Sequence, residues 1–539
     1  MRTRTAPVPR VRAAALVTVA ALLVGAGGTA SADDVRAQSA FTVDLSGSPS
    51  GPVLDTGMQG FSVESADFAH GYLTADLLAE RLKTLGPHGV LRLGGYSMDL
   101  VWPAFGAYED APPPAQAIGG TVDQGDLDRL KELLDATGWK VTLGLPLKSL
   151  LDPAQLKNPL RDPAPQVTMD QVMAEVKAAH ATLGDDLLSL EVGNEYDNVT
   201  TLTPAQMWDT VKRYQDAVDA AVPQARLRMN GPSANTAVTN SVIDGFANAA
   251  LADGADAPKR TLEEMSSHLY AGSHCGTSTL TMPQLLSPAT YTRARTKLAG
   301  IRAVGDRLHG SVPMTLNESN SASCSGQPGV SDAYGSSLWA LDYALQTARS
   351  GAVTRLQFHT NTAAVCGDFK ARDSAEYPVS YRYYGAFCAA DQAQLDARGL
   401  SATPLYYGLW AFRQLPRGRF VDLGLPDGTL DRLRAYAVVD EDGVHHVVLI
   451  NIQDPASPDA TDDTVTLTLP QGFPGGRSVR LASSAAAGLS SLDASAITLG
   501  GASVNPAGIP DHAPRSTPVA AGAPVTVAPG TTQIITLAG

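Results

Sequence analysis

Residues 140–196 read KVTLGLPLKSLLDPAQLKNPLRDPAPQVTMDQVMAEVKAAHATLGDDLLSLEVGNEY. A short β-rich run, Lys140–Leu145, is followed by a helical pattern over Met169–Leu183. A second β-rich run, Leu187–Val192, then ends on Gly193-Asn194-Glu195. The same alternation extends in both directions. Further strand candidates are Gly60–Val63, Val90–Leu93, Leu227–Asn230, Glu264–Tyr270, Pro313–Asn317 and Val353–His359. Helical patterns lie between them at Asp126–Thr137, Pro204–Ala221, Tyr291–Leu308 and Asp332–Ser350. In the first of these, Leu127, Leu130 and Leu134 recur at the helical period. Eight strands, most followed by a helix, predict an α/β fold: a (β/α)8 TIM barrel with its active residues on the loops after the strands. A doubly wound open sheet lacks support, because no Gly-rich phosphate loop follows the first strand.

Beyond a last helix near Pro404–Leu415 the pattern changes to short strand-like runs separated by Gly, Pro and Ser turns. They are Leu433–Val439, His445–Ile452, Thr464–Leu469, Ser478–Leu481, Ala496–Leu499, Val525–Val527 and Thr532–Leu537. This predicts a C-terminal all-β sandwich. Phe41–Leu45, ahead of the barrel, is also strand-like and is expected to cross over and join it. The Ala/Ser-rich stretch Ser483–Ser495 reads as a loose surface loop. The expected division is a signal peptide over 1–32, an N-terminal strand segment over 33–50, a catalytic barrel over 51–415 and the sandwich over 416–539.

The signal peptide rests on Arg2, Arg4, Arg10 and Arg12, an apolar run from Ala13 to about Gly27, and Ala30-Ser31-Ala32 as a cleavage site. The run is too short and too rich in Ala and Gly for a membrane span of about 20 residues. A secreted, extracellular protein with no membrane attachment after cleavage is therefore expected. Removing the leader takes away four arginines and no acid, and moves the formal charge from −14 to about −18. Such an acidic chain is a poor candidate for nucleic acid or other polyanions. Four cysteines, Cys275, Cys324, Cys366 and Cys388, fit an oxidising compartment. Three full pairings are possible and the sequence does not choose among them; Cys366–Cys388 with Cys275–Cys324 is the preferred one. Their spacing matches no zinc ribbon or finger, and no site for a metal or an organic cofactor is expected.

Two glutamates end predicted strands in polar settings. Glu195 follows Leu190-Glu191-Val192-Gly193-Asn194 at the end of the fourth strand, and Glu318 lies in Met314-Thr315-Leu316-Asn317-Glu318-Ser319-Asn320 at the end of the seventh. Strands four and seven face each other across the mouth of an eight-stranded barrel, so both carboxyls can flank one sugar ring. Glycosidic cleavage needs one carboxylic acid to protonate the leaving oxygen and one carboxylate across the anomeric carbon. At a separation of about 5–5.5 Å the second attacks directly and configuration is retained. Esterifying that carboxylate removes a negative neighbour, which suits the first carboxyl to switch from acid to base. Asn194 beside the acid can hydrogen-bond the sugar 2-hydroxyl.

This Asn-Glu pair resembles the retaining glycoside hydrolases of clan A. Longer strings narrow the resemblance: Gly60-Phe61-Ser62-Val63-Glu64, Leu91-Arg92-Leu93-Gly94-Gly95-Tyr96-Ser97-Met98-Asp99, Asn317-Glu318-Ser319-Asn320, Pro328-Gly329-Val330-Ser331-Asp332 and Leu338-Trp339-Ala340-Leu341-Asp342. Together they look like glycoside hydrolase family 79, which holds β-glucuronidase and heparanase-like enzymes. The resemblance implies Glu195 as acid/base and Glu318 as nucleophile, with Tyr270 holding the nucleophile ionised. His268 can support the site, although a buried structural histidine is the commoner role there. Tyr96 and Asp99 are candidates to bind sugar hydroxyls or to order their loop, and Glu64 to bind sugar or pair with Arg92.

One stretch departs from the family. Its glucuronidases use a Tyr and Gly amides just after the nucleophile to receive the substrate carboxylate. Here Ser321-Ala322-Ser323-Cys324-Ser325-Gly326-Gln327 contains no Tyr. Backbone amides near Gly326 can still cradle an anion, and Tyr377, Tyr381, Tyr383 or Tyr384 can supply a phenol. The expected activity is an exo-acting β-glucuronidase that releases terminal glucuronic acid, with or without a 4-O-methyl group, from a glycan or glycoside. The rival readings are a retaining β-glycosidase for neutral glucosides, xylosides or galactosides, and a non-catalytic carbohydrate-binding protein. A serine hydrolase is set aside for want of a Gly-x-Ser-x-Gly elbow before a helix.

Overall fold

A computed structural model describes residues 39–538 apart from 159–163, 236–239, 363, 371–379, 424 and 426–428, so the stretch 1–32 expected to be a signal peptide and Tyr377 lie outside the described residues. Eight parallel strands close into a barrel in chain order. Strands one to four are Gln59–Glu64, Val90–Gly94, Lys140–Leu145 and Leu187–Val192, and strands five to eight are Met229–Ala234, Leu262–Ser273, Met314–Ser323 and Arg355–His359. Several of the helices between them begin at side-chain caps. Asp123 closes a capping box on Gln124–Thr137, and Thr203 does so on Pro204–Ala221, where Pro204 needs no backbone donor in the first turn.

Strand five lies further along the chain than its composition suggests. Gly231-Pro232 normally interrupts a strand, so the expected boundary fell at Asn230. The observed strand runs on to Ala234, with a register break between the Gly231 and Ala234 pairings that leaves Pro232 and Ser233 outside the ladder. Strands six and seven also overrun their expected ends and stay paired as far as Ser273 and Ser323.

Apart from two short pairs, Trp102–Pro103 with Thr121–Val122 and Phe387–Cys388 with Ser401–Ala402, the remaining described strands form two packed sheets. Ser39–Asp44 runs parallel to Asp463–Thr468, which pairs in turn with Val525–Val527. The larger sheet runs from Val53–Leu54 through Gly418–Phe420, Leu433–Asp440, His445–Asn451 and Thr531–Leu537 to Gly476–Ser483 and Ile497–Leu499. The N-terminal share of this domain therefore reaches Leu54, past residue 50. Val43, Val465, Leu449 and Ile535 are among the side chains buried between the sheets.

Helix Gly335–Ser350 is buried all round from Gly335 to Ala348, because it lies between the barrel and the β domain. Asp342 on this helix accepts from Tyr436 Oη at 2.6 Å and Arg434 Nε at 3.3 Å, joining the two domains. The stretch Ser483–Ser495 is not loose. Leu489 is buried, its amide is held by Asp454 Oδ1 at 3.1 Å, and Ser491 O accepts from Tyr334 N at 2.8 Å.

Three buried carboxyls set the stability profile. Burial and the charge of Glu64 push Asp67 up to about 7. Burial lifts Glu264 to about 7 against the pull of Arg355, and Glu175 to about 8. Between their ordinary values and these, the folded state holds more protons than the unfolded one, so stability falls as pH rises. His445, lowered by burial, opposes this as a single group. A higher melting temperature at about pH 5.5 than at about pH 8 is expected from calorimetry; the reverse order would refute this account of the buried acids.

Candidate active site

The site is organised around Arg92, which alternation places inside the barrel on strand two and which is 0% exposed. Its guanidinium donates from Nε to Glu191 at 2.7 Å, from Nη1 to Glu318 Oε2 at 2.9 Å and Ser62 Oγ at 3.1 Å, and from Nη2 to Asn194 Oδ1 at 2.8 Å and Ser233 Oγ at 3.0 Å. All five N–H groups of a fixed planar fork are thereby used. One glycine makes room for this guanidinium, and the next for the carboxylate of Glu64. A Cβ on Gly94 would stand 2.3 Å from the guanidinium carbon, and one on Gly95 (φ +70°) would stand 2.6 Å from Glu64 Oε2.

On strand seven a bulge sets the catalytic end. Ser267 pairs with Leu316, but the next residue, His268, pairs with Glu318, so Asn317 is skipped in the ladder. Two consecutive side chains can then turn inward. Asn317 donates to Glu191 at 2.5 Å and Ser233 Oγ at 3.0 Å, while Glu318 accepts from Arg92 and from Tyr270 Oη at 2.8 Å. Burial alone would raise the Glu318 carboxyl. His268, His359, Arg92 and the Tyr270 hydrogen bond outweigh it and hold Glu318 well below the usual carboxylate range.

Glu195 follows strand four in a left-handed conformation (φ 47°, ψ 51°), which costs a non-glycine residue roughly 1–2 kcal/mol. Its amide donates to Ser233 O at 2.9 Å, tying strand four to strand five. The side chain is partly exposed, with Oε2 accepting from Asn198 at 3.2 Å and Asn235 at 3.3 Å. His268 Nδ1 lies 2.9 Å from Glu195 Oε1 and 3.6 Å from Glu318 Oε1. One oxygen of each carboxylate and a nitrogen of His268 all fall within 4.8 Å of one another. Three such donors could hold a cation in principle. The permanent charge of Arg92 on Glu318, and the proton that Nδ1 must carry, suit the cluster to proton chemistry instead.

That proton follows from Ser233. Its Oγ accepts from Arg92 and from Asn317, which fills both lone pairs. Its hydroxyl must therefore donate, and His268 Nε2 lies 3.0 Å away. Nε2 is then an acceptor, and Nδ1–H points at the two carboxylates. Burial lowers the pKa of His268, but the charge of Glu318 and the contacts with Glu195 raise it on balance and so favour a second proton; the Ser233 hydroxyl, by donating to Nε2, works against it. Ser233→Ala is expected to move the proton shared by Glu195 and His268 onto the imidazole. We expect kcat to fall about tenfold with little change in KM and imidazolium signals to appear for His268 in nitrogen-15 NMR; Ser233→Thr should restore both. An unchanged kcat would refute the assignment.

Other residues singled out from sequence divide. Asp99 orders its loop: 2% exposed, its Oδ1 accepts the amides of Leu147 at 2.6 Å and Lys148 at 2.8 Å, so it is not presented to a sugar. Glu64 does not pair with Arg92. Its Oε2 accepts from the amide and hydroxyl of Ser97 at 2.8 and 2.6 Å, and Arg382 Nη2 and His359 Nε2 lie 3.5 and 3.6 Å from Oε1. Tyr96 is partly exposed beneath the Lys148 ammonium. His268, the residue with a common structural alternative, touches both carboxylates.

Cys275–Cys324 and Cys366–Cys388 are the disulfides formed. The first ties the ends of strands six and seven. Beyond it Cys324, Ser325 and Gly326 are all left-handed, and Gly326 packs on the Tyr384 amide. Ser325 O accepts from Tyr383 N at 2.8 Å, which brings the loop after strand eight against the loop after strand seven. The Tyr384 ring lies 6.1 Å from Tyr270 and 5.7 Å from His359. Ser233, Glu191, Asn317 and His359 also belong to this cluster, although they are not among the residues expected there from sequence. An inward-facing charge in an otherwise apolar strand was the available signal for Glu191.

Residues 435–533 match the family model described as the glycosyl hydrolase family 79 C-terminal beta domain. A sequence search of curated proteins finds no match. Among solved structures, the chain resembles a 4-O-α-L-rhamnosyl-β-D-glucuronidase from Fusarium oxysporum 12S, with TM-score 0.68 and 20% identity over 92% of this chain and 100% of that one. It also resembles a family 51 arabinofuranosidase from Xanthomonas axonopodis pv. citri (TM-score 0.58, 13% identity, 93% and 99% coverage). A third resemblance is to an α-L-arabinofuranosidase from Thermotoga maritima (0.59, 12%, 92% and 99%). At these identities the likeness is one of fold.

Proposed function

We propose that this chain, with a family 79 C-terminal domain packed on an eight-stranded barrel, is a secreted, retaining exo-β-glucuronidase acting on a glycan or glycoside. The observation that carries the reading is the approach of one Glu195 oxygen to within 4.8 Å of one on Glu318. Inverting enzymes need about 6.5–9.5 Å between the carboxyls to seat a water, so this spacing suits direct attack.

Glu318 is the nucleophile. Arg92 and Tyr270 hold it ionised and aim it at the anomeric carbon, and Glu195 protonates the departing oxygen. The bond from the anomeric carbon to the leaving oxygen breaks as the bond to Glu318 forms. The ester neutralises Glu318, Glu195 then takes a proton from water, and that water releases the sugar with its configuration retained. Asn194 Oδ1 is held by Arg92, which leaves Nδ2 to donate to the sugar 2-hydroxyl, a bond that strengthens in the transition state.

The panel that tests this sets nitrophenyl β-glucuronide and its 4-O-methyl form beside the β-glucoside, xyloside and galactoside. Turnover confined to the uronides supports the reading. Turnover of a neutral glycoside instead would mean that the loop closed by Cys275–Cys324 shapes a neutral pocket.

A further inference from the structure

Lys148 follows strand three at the catalytic end of the barrel, between Tyr96 after strand two and Glu195 after strand four. Asp99 pins its backbone through the paired amides described above. The side chain is only 8% exposed, and its ammonium stands 5.5 Å from the centre of the Tyr96 ring. Among the described residues no carboxylate lies within salt-bridge distance of the ammonium and no acceptor bonds it. It is also absent from the polar atoms sealed off from solvent without a partner, so its tip keeps contact with solvent. Lysines this buried are almost always paired. The nearby cations differ in this respect: Arg92 is committed to Glu191 and Glu318, and Arg382 stands beside Glu64. A cation–π contact holds an ammonium in place but leaves its three N–H donors unused.

We propose that Lys148, positioned by Tyr96 and Asp99, is the specificity residue that receives a carboxylate of the substrate. This deepens the glycosidase reading above and rests on it. The carboxylate belongs either to the sugar being cleaved or to an acidic group on the leaving side, and both offer the same chemistry to an ammonium.

The test compares Lys148→Met, which keeps the length of the stem and removes the charge, with Lys148→Arg and the parent. Three substrates separate the sources: nitrophenyl β-glucuronide, nitrophenyl β-glucoside, and an aryl β-glucoside whose single carboxylate is on the leaving group. For Lys148→Met we expect kcat/KM on one carboxylate-bearing substrate to fall about 30-fold, mostly through KM. The nitrophenyl glucoside should be unaffected, and Lys148→Arg should recover most of the loss. Selective loss on the glucuronide assigns the cleaved sugar; selective loss on the acidic leaving group assigns the neighbouring position. Equal loss on charged and neutral substrates, or no loss on any charged one, overturns the proposal. A parent that turns over no uronide fails the glucuronidase reading alone, and Lys148 is then judged on the acidic leaving group.

Discussion

Glu318→Gln is expected to lower kcat by about 10⁵-fold, the scale seen when a covalent nucleophile is removed, while leaving the protein folded. The amide side chain would keep the volume, its oxygen could still accept from Arg92, and its NH2 would then face Tyr270 Oη, which can accept instead. Arg92 would retain Glu191, Ser62, Asn194 and Ser233 as partners. What is lost is the anion that forms the ester. Glu318→Gly sharpens the point, because it opens space at the anomeric face. Azide added to that variant should restore part of the turnover on an activated glycoside and yield a glycosyl azide of inverted configuration. A Glu318→Gln variant retaining more than about one percent of parent activity would contradict the assignment.

Arg92→Met is expected to be the most destabilising single change in the barrel. It removes the cation between two buried carboxylates, Glu191 at 0% and Glu318 at 8% side-chain exposure. Breaking a buried pair from one side costs about 3–5 kcal/mol, and here one side chain serves two anions. Arg92→Lys should recover little, since a single ammonium cannot reach Glu191, Glu318, Ser62, Asn194 and Ser233 together. Urea unfolding would read this as a lower midpoint at unchanged slope. An Arg92→Met protein as stable as the parent would mean that the hub is not what holds these acids in place.

The barrel was legible because each strand is a compact apolar run followed by a helical pattern, and both features depend on nearby residues alone. Glu195 and Glu318 were legible because each ends such a run on a polar string. Arg92 appeared in the sequence only as a partner for Glu64, and its contacts with Glu191 and Glu318 arise from barrel closure, which no local pattern encodes. Asn317 escaped because a bulge lets two successive residues face inward, against the two-residue period of a strand. Ser233 escaped because it follows Gly-Pro, which reads as the end of a strand. For Asp99 the sequence left substrate binding and loop ordering equally open, and only the placed neighbours decide for the second, its carboxylate being engaged by backbone amides from the next loop. Lys148 carries no motif, and its lack of a partner is visible only once its neighbours are placed.

The most direct test of the account is to incubate the protein with 2-deoxy-2-fluoro-β-D-glucuronosyl fluoride and map the product by mass spectrometry. The fluorine slows both steps and the fluoride leaving group favours the first, so a glycosyl-enzyme should accumulate. One fluoroglucuronosyl unit per chain is expected, on the peptide that contains Glu318. An adduct on Glu195, or turnover of the reagent to an inverted sugar with no adduct, would contradict it.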